Sequence, residues 1–175
     1  MSTTAGLGHD VVLLFTKRPE PGKTKTRLVP ALGPHGAARV HGRLLAHATD
    51  VIRGLKRPRL RRIACVAPPG WLPDAHHVIG DGFEIWPQAG GGLGERMRAA
   101  FERAFDEGAS RAVVVGSDCP DLDGGLLDDA LTSLRTHDAC FGPALDGGYY
   151  LLGLSRPLPA AFEGVPWSDA QTGRV

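Results

Sequence analysis

No disulfide framework can be read into this chain: its three cysteines, Cys65, Cys119 and Cys140, are odd in number and have no paired spacing. The same spacing excludes a zinc knuckle. Charge of one sign is also lacking. A formal net charge of +1 gives no basis for a nucleic-acid clamp or a polybasic membrane anchor, so neither partner is expected. Long apolar runs are missing too. The strongest, Val11 to Phe15, falls far short of the roughly 20 residues needed to cross a bilayer. Met1 to Asp10 lacks the basic and apolar blocks of a signal peptide, so a cytoplasmic location is expected. The seven histidines contain no i, i+4 pair of the metal-binding type and read as surface or core residues. No repeat or linker interrupts the sequence.

What is present suits one α/β domain over residues 1–175. Apolar residues make up 42% and charged residues 22%, ordinary for a globular chain long enough to bury a core. Val11 to Thr16 is an apolar, β-branched run without alternation, as expected of a strand buried on both faces. Arg62 to Ala67, Phe83 to Pro87, Ala112 to Gly116, Ala139 to Gly142 and Tyr149 to Leu154 read as further strands. Between them, Val40, Leu44, Ala48, Val51 and Leu55 recur at helical steps within 34–55. Leu93, Met97, Phe101 and Phe105 do the same within 93–105. A last helix is expected over 126–134, capped by Asp121 or Asp123. Strands alternating with helices predict a three-layer α/β/α sandwich around a mostly parallel sheet. Ligands of such sheets bind beyond the carboxyl ends of the strands, which directs attention to the loops there.

The loop after the first strand, Lys17-Arg18-Pro19-Glu20-Pro21-Gly22-Lys23-Thr24-Lys25-Thr26-Arg27, holds five cations in eleven residues. Lysine and arginine supply charge-assisted donors to phosphate oxygens, and Gly22 permits close backbone approach to an anion. A solvated basic turn is the plainer alternative. Gly22-Lys23-Thr24 imitates the end of a P-loop, but the glycine that motif requires five residues earlier is Lys17, and Pro19 and Pro21 remove two backbone donors. The P-loop is excluded.

The second loop is Gly116-Ser117-Asp118-Cys119-Pro120-Asp121-Leu122. A carboxylate at a buried strand's tip, here Asp118, suits Mg²⁺ or Mn²⁺ bridging substrate phosphates. Helix capping is the alternative for Asp118 and the favoured role for Asp121. Cys119 reads as a small filler. In the third loop, Gly142-Pro143-Ala144-Leu145-Asp146-Gly147-Gly148-Tyr149-Tyr150, the paired Gly147 and Gly148 allow close approach to a ligand. Tyr149 and Tyr150 offer surfaces for a base or sugar. Asp146-Gly147 is also a plain hairpin signal. In Gln88-Ala89-Gly90-Gly91-Gly92-Leu93-Gly94-Glu95-Arg96, Glu95 stands where a dinucleotide fingerprint has its third glycine. A glycine-rich helix start near Arg96 still suits an anion.

These four stretches, in this order and over about Val11 to Trp167, resemble the DUF2064 group. That group is described, by provisional assignment, as glycosyltransferases of GT-A type related to the nucleotide-diphospho-sugar transferases. The resemblance implies that Lys25 and Arg27 grip phosphates, that Asp118 holds the metal and that Arg96 borders the nucleotide pocket. It also implies a place for Asp146 near the acceptor or the metal. The group's pattern has an aspartate where this chain has Gly92. Its members continue past a Trp-Ser element, here Trp167-Ser168, into a helix and an acidic end, which implies a domain shortened at its C-terminus.

Three functions stay open at this stage. One is metal-dependent transfer of a sugar from a nucleotide sugar to a small-molecule acceptor. A second is nucleotidyl transfer from a nucleoside triphosphate to a sugar phosphate or phosphorylated acid. The third is nucleotide binding without catalysis.

Overall fold

The computed structural model describes residues 8–144 and 149–163. Its strands are β1 (His9–Lys17), β2 (Leu60–Ala67), β3 (Glu84–Pro87), β4 (Ala109–Gly116), β5 (Ala139–Pro143) and β6 (Tyr149–Leu154). They form one sheet in the order β3-β2-β1-β4-β6-β5. β1, β2, β3 and β4 are parallel, and β6 runs antiparallel between β4 and β5. The helices are α1 (Val29–Gly54), α2 (Ala75–Ile79), α3 (Leu93–Asp106) and α4 (Gly124–Ser133). Among the described residues no helix is long and apolar enough to cross a membrane.

Strand alternation builds the three layers. Val12 and Leu14 of β1 point to one face, where they meet Leu45, Ala48 and Ile52 of α1, Ile79 of α2, and Leu127 and Leu131 of α4. Val11, Leu13 and Phe15 point to the other, against Met97, Phe101 and Ala104 of α3. Both faces of β1 are thus covered, and Val11 to Leu14 are each 0% exposed. Burying a side chain of this size stabilises the fold by roughly 1.5–3 kcal/mol, which is why β1 carries no polar alternation.

Several elements depart from the sequence pattern in detail. Helical structure starts inside the expected 17–30 loop, as a 3-10 turn over Thr26–Leu28 that runs into α1 at Val29, and breaks at Gly33 (φ 67°, ψ 168°). Pro34 then opens the segment expected from periodicity, at a position where its missing N–H costs nothing. A 3-10 turn, Pro69–Asp74, and the five-residue α2 were not apparent in the sequence. They are too short for a periodic signal, yet they seat Trp71, which is 1% exposed. Asp123, not Asp121, caps α4: its Oδ1 accepts the Leu126 N–H at 3.0 Å.

Two contacts brace the sheet away from its carboxyl edge. Asp10, 5% exposed, accepts from Arg57 Nε at 3.1 Å and from Arg111 Nε at 2.7 Å. Gly153 of β6 lies so close to its neighbours that a Cβ there would sit 2.5 Å from Cys140 Sγ and 2.9 Å from Leu134 Cδ1. Gly153→Ala should therefore lower stability by about 1–3 kcal/mol, read as an earlier urea midpoint. An unchanged midpoint would show that the sheet and α4 yield freely there.

Candidate active site

The strand order dictates where a cleft forms. From β1 the chain steps to one side for β2 and β3, then returns to the other side for β4. The connections leaving β1 and β4 therefore diverge at a switch point, where open α/β sheets hold their ligands. A cleft of about 810 Å³ opens there, lined by residues that include Lys17, Lys25, Arg27, Arg96, Ser117 and Asp118. Residues far apart in sequence meet because β1 and β4 are hydrogen-bonded neighbours, with the Ser117 N–H donating to Phe15 O at 3.1 Å.

Each wall is held by identifiable contacts. In the basic loop, the Lys23 and Thr24 N–H groups both donate to Glu20 O, at 3.1 and 3.2 Å, and Gly22 takes a positive φ of 79° to close that turn. Lys25 follows in the left-handed region (φ 50°, ψ 41°), uncommon for a residue with a side chain. Its Nζ lies 3.1 Å from Asp118 Oδ2. On the other oxygen of the same carboxylate, His41 Nδ1 lies 3.3 Å from Oδ1. The opposite ring nitrogen, Nε2, is 2.9 Å from Lys17 O. His41, through its hydrogen bond, and Lys25 after it hold the Asp118 carboxyl below the usual carboxylate range, against the opposing effect of burial. Asp118 is therefore a carboxylate throughout the neutral range.

The far wall is organised by Gln88. Its Nε2 donates to Thr16 O at 3.0 Å and to Cys65 O at 2.8 Å, tying together the ends of β1 and β2. Arg96 Nε donates to Gly91 O at 2.8 Å, and its Nη1 comes within 3.5 Å of Gln88 Oε1. At the start of α3 the Gly92 N–H donates to Glu95 Oε2 at 2.7 Å. That donor is already engaged, and α3 lines the cleft with Leu93 and Arg96.

Among the described residues, five cationic side chains, Lys17, Lys23, Lys25, Arg27 and Arg96, line the cleft against one acidic one, Asp118. Lys23 is paired with Glu20 at 2.8 Å. Lys17 and Arg27 make no ion pair among the described residues, which leaves their charge available to an anion.

Two predicted residues lie away from this lining. Gly22 serves the turn of the basic loop and is not part of the cleft wall. Tyr149 packs on the α3 side of the sheet, edge-on to Phe141 with ring centroids 5.9 Å apart. Asp146, Gly147 and Gly148 lie outside the described residues. The strand leading toward them, β5, runs parallel to β4, so its carboxyl end is on the edge that carries the cleft. Cys119 is half-buried beside the core, and burial pushes its thiol up, in keeping with a filler.

Sequence reasoning missed His41 and Gln88. One was set aside with the other histidines, and the other was read only as the first residue of a glycine-rich stretch. A buried polar residue on the helical face that packs toward the strand ends was the available signal for His41.

The donor set fits a divalent cation in its leanest form. Among the described residues, no group of three His, Cys, Asp or Glu side chains gathers. Mg²⁺ nonetheless binds through one or two carboxylates while substrate phosphates and water supply the rest, and Asp118 at a cation-lined cleft meets that requirement.

The six-stranded, mostly parallel and doubly covered sheet matches the fold of solved nucleotide-diphospho-sugar transferase and cytidylyltransferase structures. Within that class, the chain belongs to the DUF2064 family, described as "Uncharacterized protein conserved in bacteria", which it matches over residues 51–169. A Desulfovibrio desulfuricans G20 protein, provisionally assigned as a nucleotide-diphospho-sugar transferase, is 38% identical over 95% of this chain and 72% of its own, with a TM-score of 0.84. The 4-diphosphocytidyl-2C-methyl-D-erythritol synthase of Anaerococcus prevotii DSM 20548 shares the fold (TM-score 0.59; 98% of this chain, 84% of its own) at 10% identity. Rv0371c of Mycobacterium tuberculosis H37Rv, solved as a complex with manganese, shares it at 16% identity and a TM-score of 0.54 (92% and 78% covered). No functionally curated protein matches the chain.

Proposed function

We propose that the protein is a metal-dependent glycosyltransferase that uses a nucleotide-sugar donor. The observation that carries this reading is the meeting of Asp118 with Lys17, Lys25, Arg27 and Arg96 in one cleft at the switch point of the sheet. Arginine and lysine side chains on two walls would clamp a diphosphate, arginine in a planar fork and lysine as a point charge. Mg²⁺ or Mn²⁺ at Asp118 would neutralise charge on the departing diphosphate. The acceptor hydroxyl would attack the sugar's anomeric carbon, the bond from that carbon to the diphosphate oxygen would break, and the nucleoside diphosphate would leave. Gly147 and Gly148, which follow β5 in the sequence, remain the proposed substrate pocket, with Asp146 near the acceptor or the metal.

The excess of cations over carboxylates favours one second reading, nucleotidyl transfer. A triphosphate brings more negative charge than a nucleotide sugar and would use all the basic side chains of the cleft. Product analysis separates the two. Free nucleoside diphosphate from a sugar donor supports glycosyl transfer; pyrophosphate from a triphosphate supports nucleotidyl transfer. Neither product with any donor, despite measurable binding, would leave nucleotide binding without catalysis as the function.

Arg27 tests the phosphate clamp directly. Arg27→Ala should weaken nucleoside diphosphate binding by about 1.5–3 kcal/mol, the scale of a lost charged hydrogen bond, when titrated calorimetrically. Equal affinities of variant and parent would remove Arg27 from the clamp.

A further inference from the structure

The sequence treats His41 as one histidine among seven, but its surroundings single it out. Its side chain is only 6% exposed, whereas the Asp118 side chain it touches is 60% exposed. The ring is rigid and sits on α1, a helix packed on the sheet through Leu45, Ala48 and Ile52. One ring nitrogen addresses the end of β1, with Nε2 at 2.9 Å from Lys17 O. The other addresses the loop after β4, with Nδ1 at 3.3 Å from Asp118 Oδ1. His41 therefore spans the two connections that diverge at the switch point. A second histidine of α1 reaches the same loop further along, where His47 Nε2 lies 2.9 Å from Leu122 O.

From this geometry we propose that His41 is the positioning residue of Asp118. It fixes Oδ1 and so presents Oδ2, the oxygen facing Lys25, to whatever cation the cleft receives. A carboxylate on an exposed loop is otherwise free to rotate. Its other contact, Lys25, sits at the end of a flexible side chain that has its own claim on phosphate. The buried imidazole removes that freedom before any ligand arrives. Groups that orient a metal-binding side chain in this way typically matter by about 10- to 100-fold in metal affinity.

This inference rests on the metal role proposed for Asp118, and the experiment keeps the two apart. Mn²⁺ binding is measured by electron paramagnetic resonance in the presence of UDP, for the parent chain, His41→Ala, Asp118→Asn and the double variant. His41→Gln is added because its amide keeps a donor and much of the ring's volume. Far-UV circular dichroism confirms that each variant is folded. The expected result is an affinity loss of about 10- to 100-fold in His41→Ala, a smaller loss in His41→Gln, and no further loss when His41→Ala is added to Asp118→Asn. That non-additivity distinguishes action through Asp118 from a general loosening of α1. Equal losses from His41→Ala in both backgrounds, or unchanged Mn²⁺ affinity in His41→Ala, would overturn the positioning role while leaving the metal reading intact. A parent chain that holds Mn²⁺ no more tightly than Asp118→Asn would overturn both.

Discussion

Asp118→Asn is expected to abolish the dependence of nucleotide binding on metal while leaving the fold in place. The amide has nearly the shape of the carboxylate, and the side chain is 60% exposed, so little packing is disturbed. What changes is charge. A hard cation loses the only acidic side chain that lines the cleft among the described residues, and the tightening of nucleotide binding by Mn²⁺ should fall on the order of 100-fold. Metal-free binding should move the other way. The cleft keeps the five cations of its described lining and sheds the carboxylate that competes with phosphate for Lys25. Calorimetric titration of UDP and GDP with and without Mn²⁺ reads both effects in a single series. Unchanged metal dependence in Asp118→Asn would end the assignment of Asp118 as the metal-binding carboxylate, and weaker metal-free binding would argue that its role is structural.

The largest effect on stability is expected at the other end of the sheet. Asp10, 5% exposed, is shared by the guanidinium groups of Arg57 and Arg111, and Arg57 also reaches Asp128 Oδ1 at 2.6 Å. Asp10→Ala takes from Arg111 its ion-pair partner and from Arg57 one of its two, and leaves both partly buried cations beside a void. Removing one partner from a buried ion pair costs about 3–5 kcal/mol because the remaining charge has lost both water and its counter-ion. At this chain length each kcal/mol lowers Tm by about 2–4 °C, so a fall of roughly 10 °C should appear in a thermal scan. A fall of only a degree or two would mean that the existing pair with Asp128 suffices for Arg57 and that water satisfies Arg111. Nucleotide affinity at temperatures where the variant is folded should be unaffected, since Asp10 and the cleft lie at opposite ends of β1.

Much of the fold was legible because burial writes itself into composition. The inner parts of β1, β2 and β4 (residues 11–15, 63–66 and 112–115) are buried and therefore appear as unbroken apolar runs, and α3 shows its stripe at Met97 and Phe101. The direction of β6 was not legible, since side-chain alternation is the same for parallel and antiparallel strands. α2 escaped notice because five residues do not establish a helical period. In the candidate site, the cations stood out because they cluster directly after a strand, and Asp118 because it ends another. His41 and Gln88 were hidden for a physical reason. Each acts on strand ends far from its own position, His41 on a carbonyl 24 residues away and Gln88 on one 72 residues away, and each acts through ordinary hydrogen bonds that leave no local pattern.

The central place of β1 has a consequence for how the chain must be made. It leaves the ribosome before either of its neighbours, so one of its edges waits for β2, Asp10 pairing with Leu60, and the other for β4, Asp10 pairing with Arg111. Until the latter segment has been synthesised, a strand whose middle, Val11 to Phe15, is apolar has an open hydrogen-bonding edge during translation. The family-matched stretch from residue 51 onward contains both of its neighbours but not β1 itself, so expressed alone it would hold two half-sheets with nothing to join them.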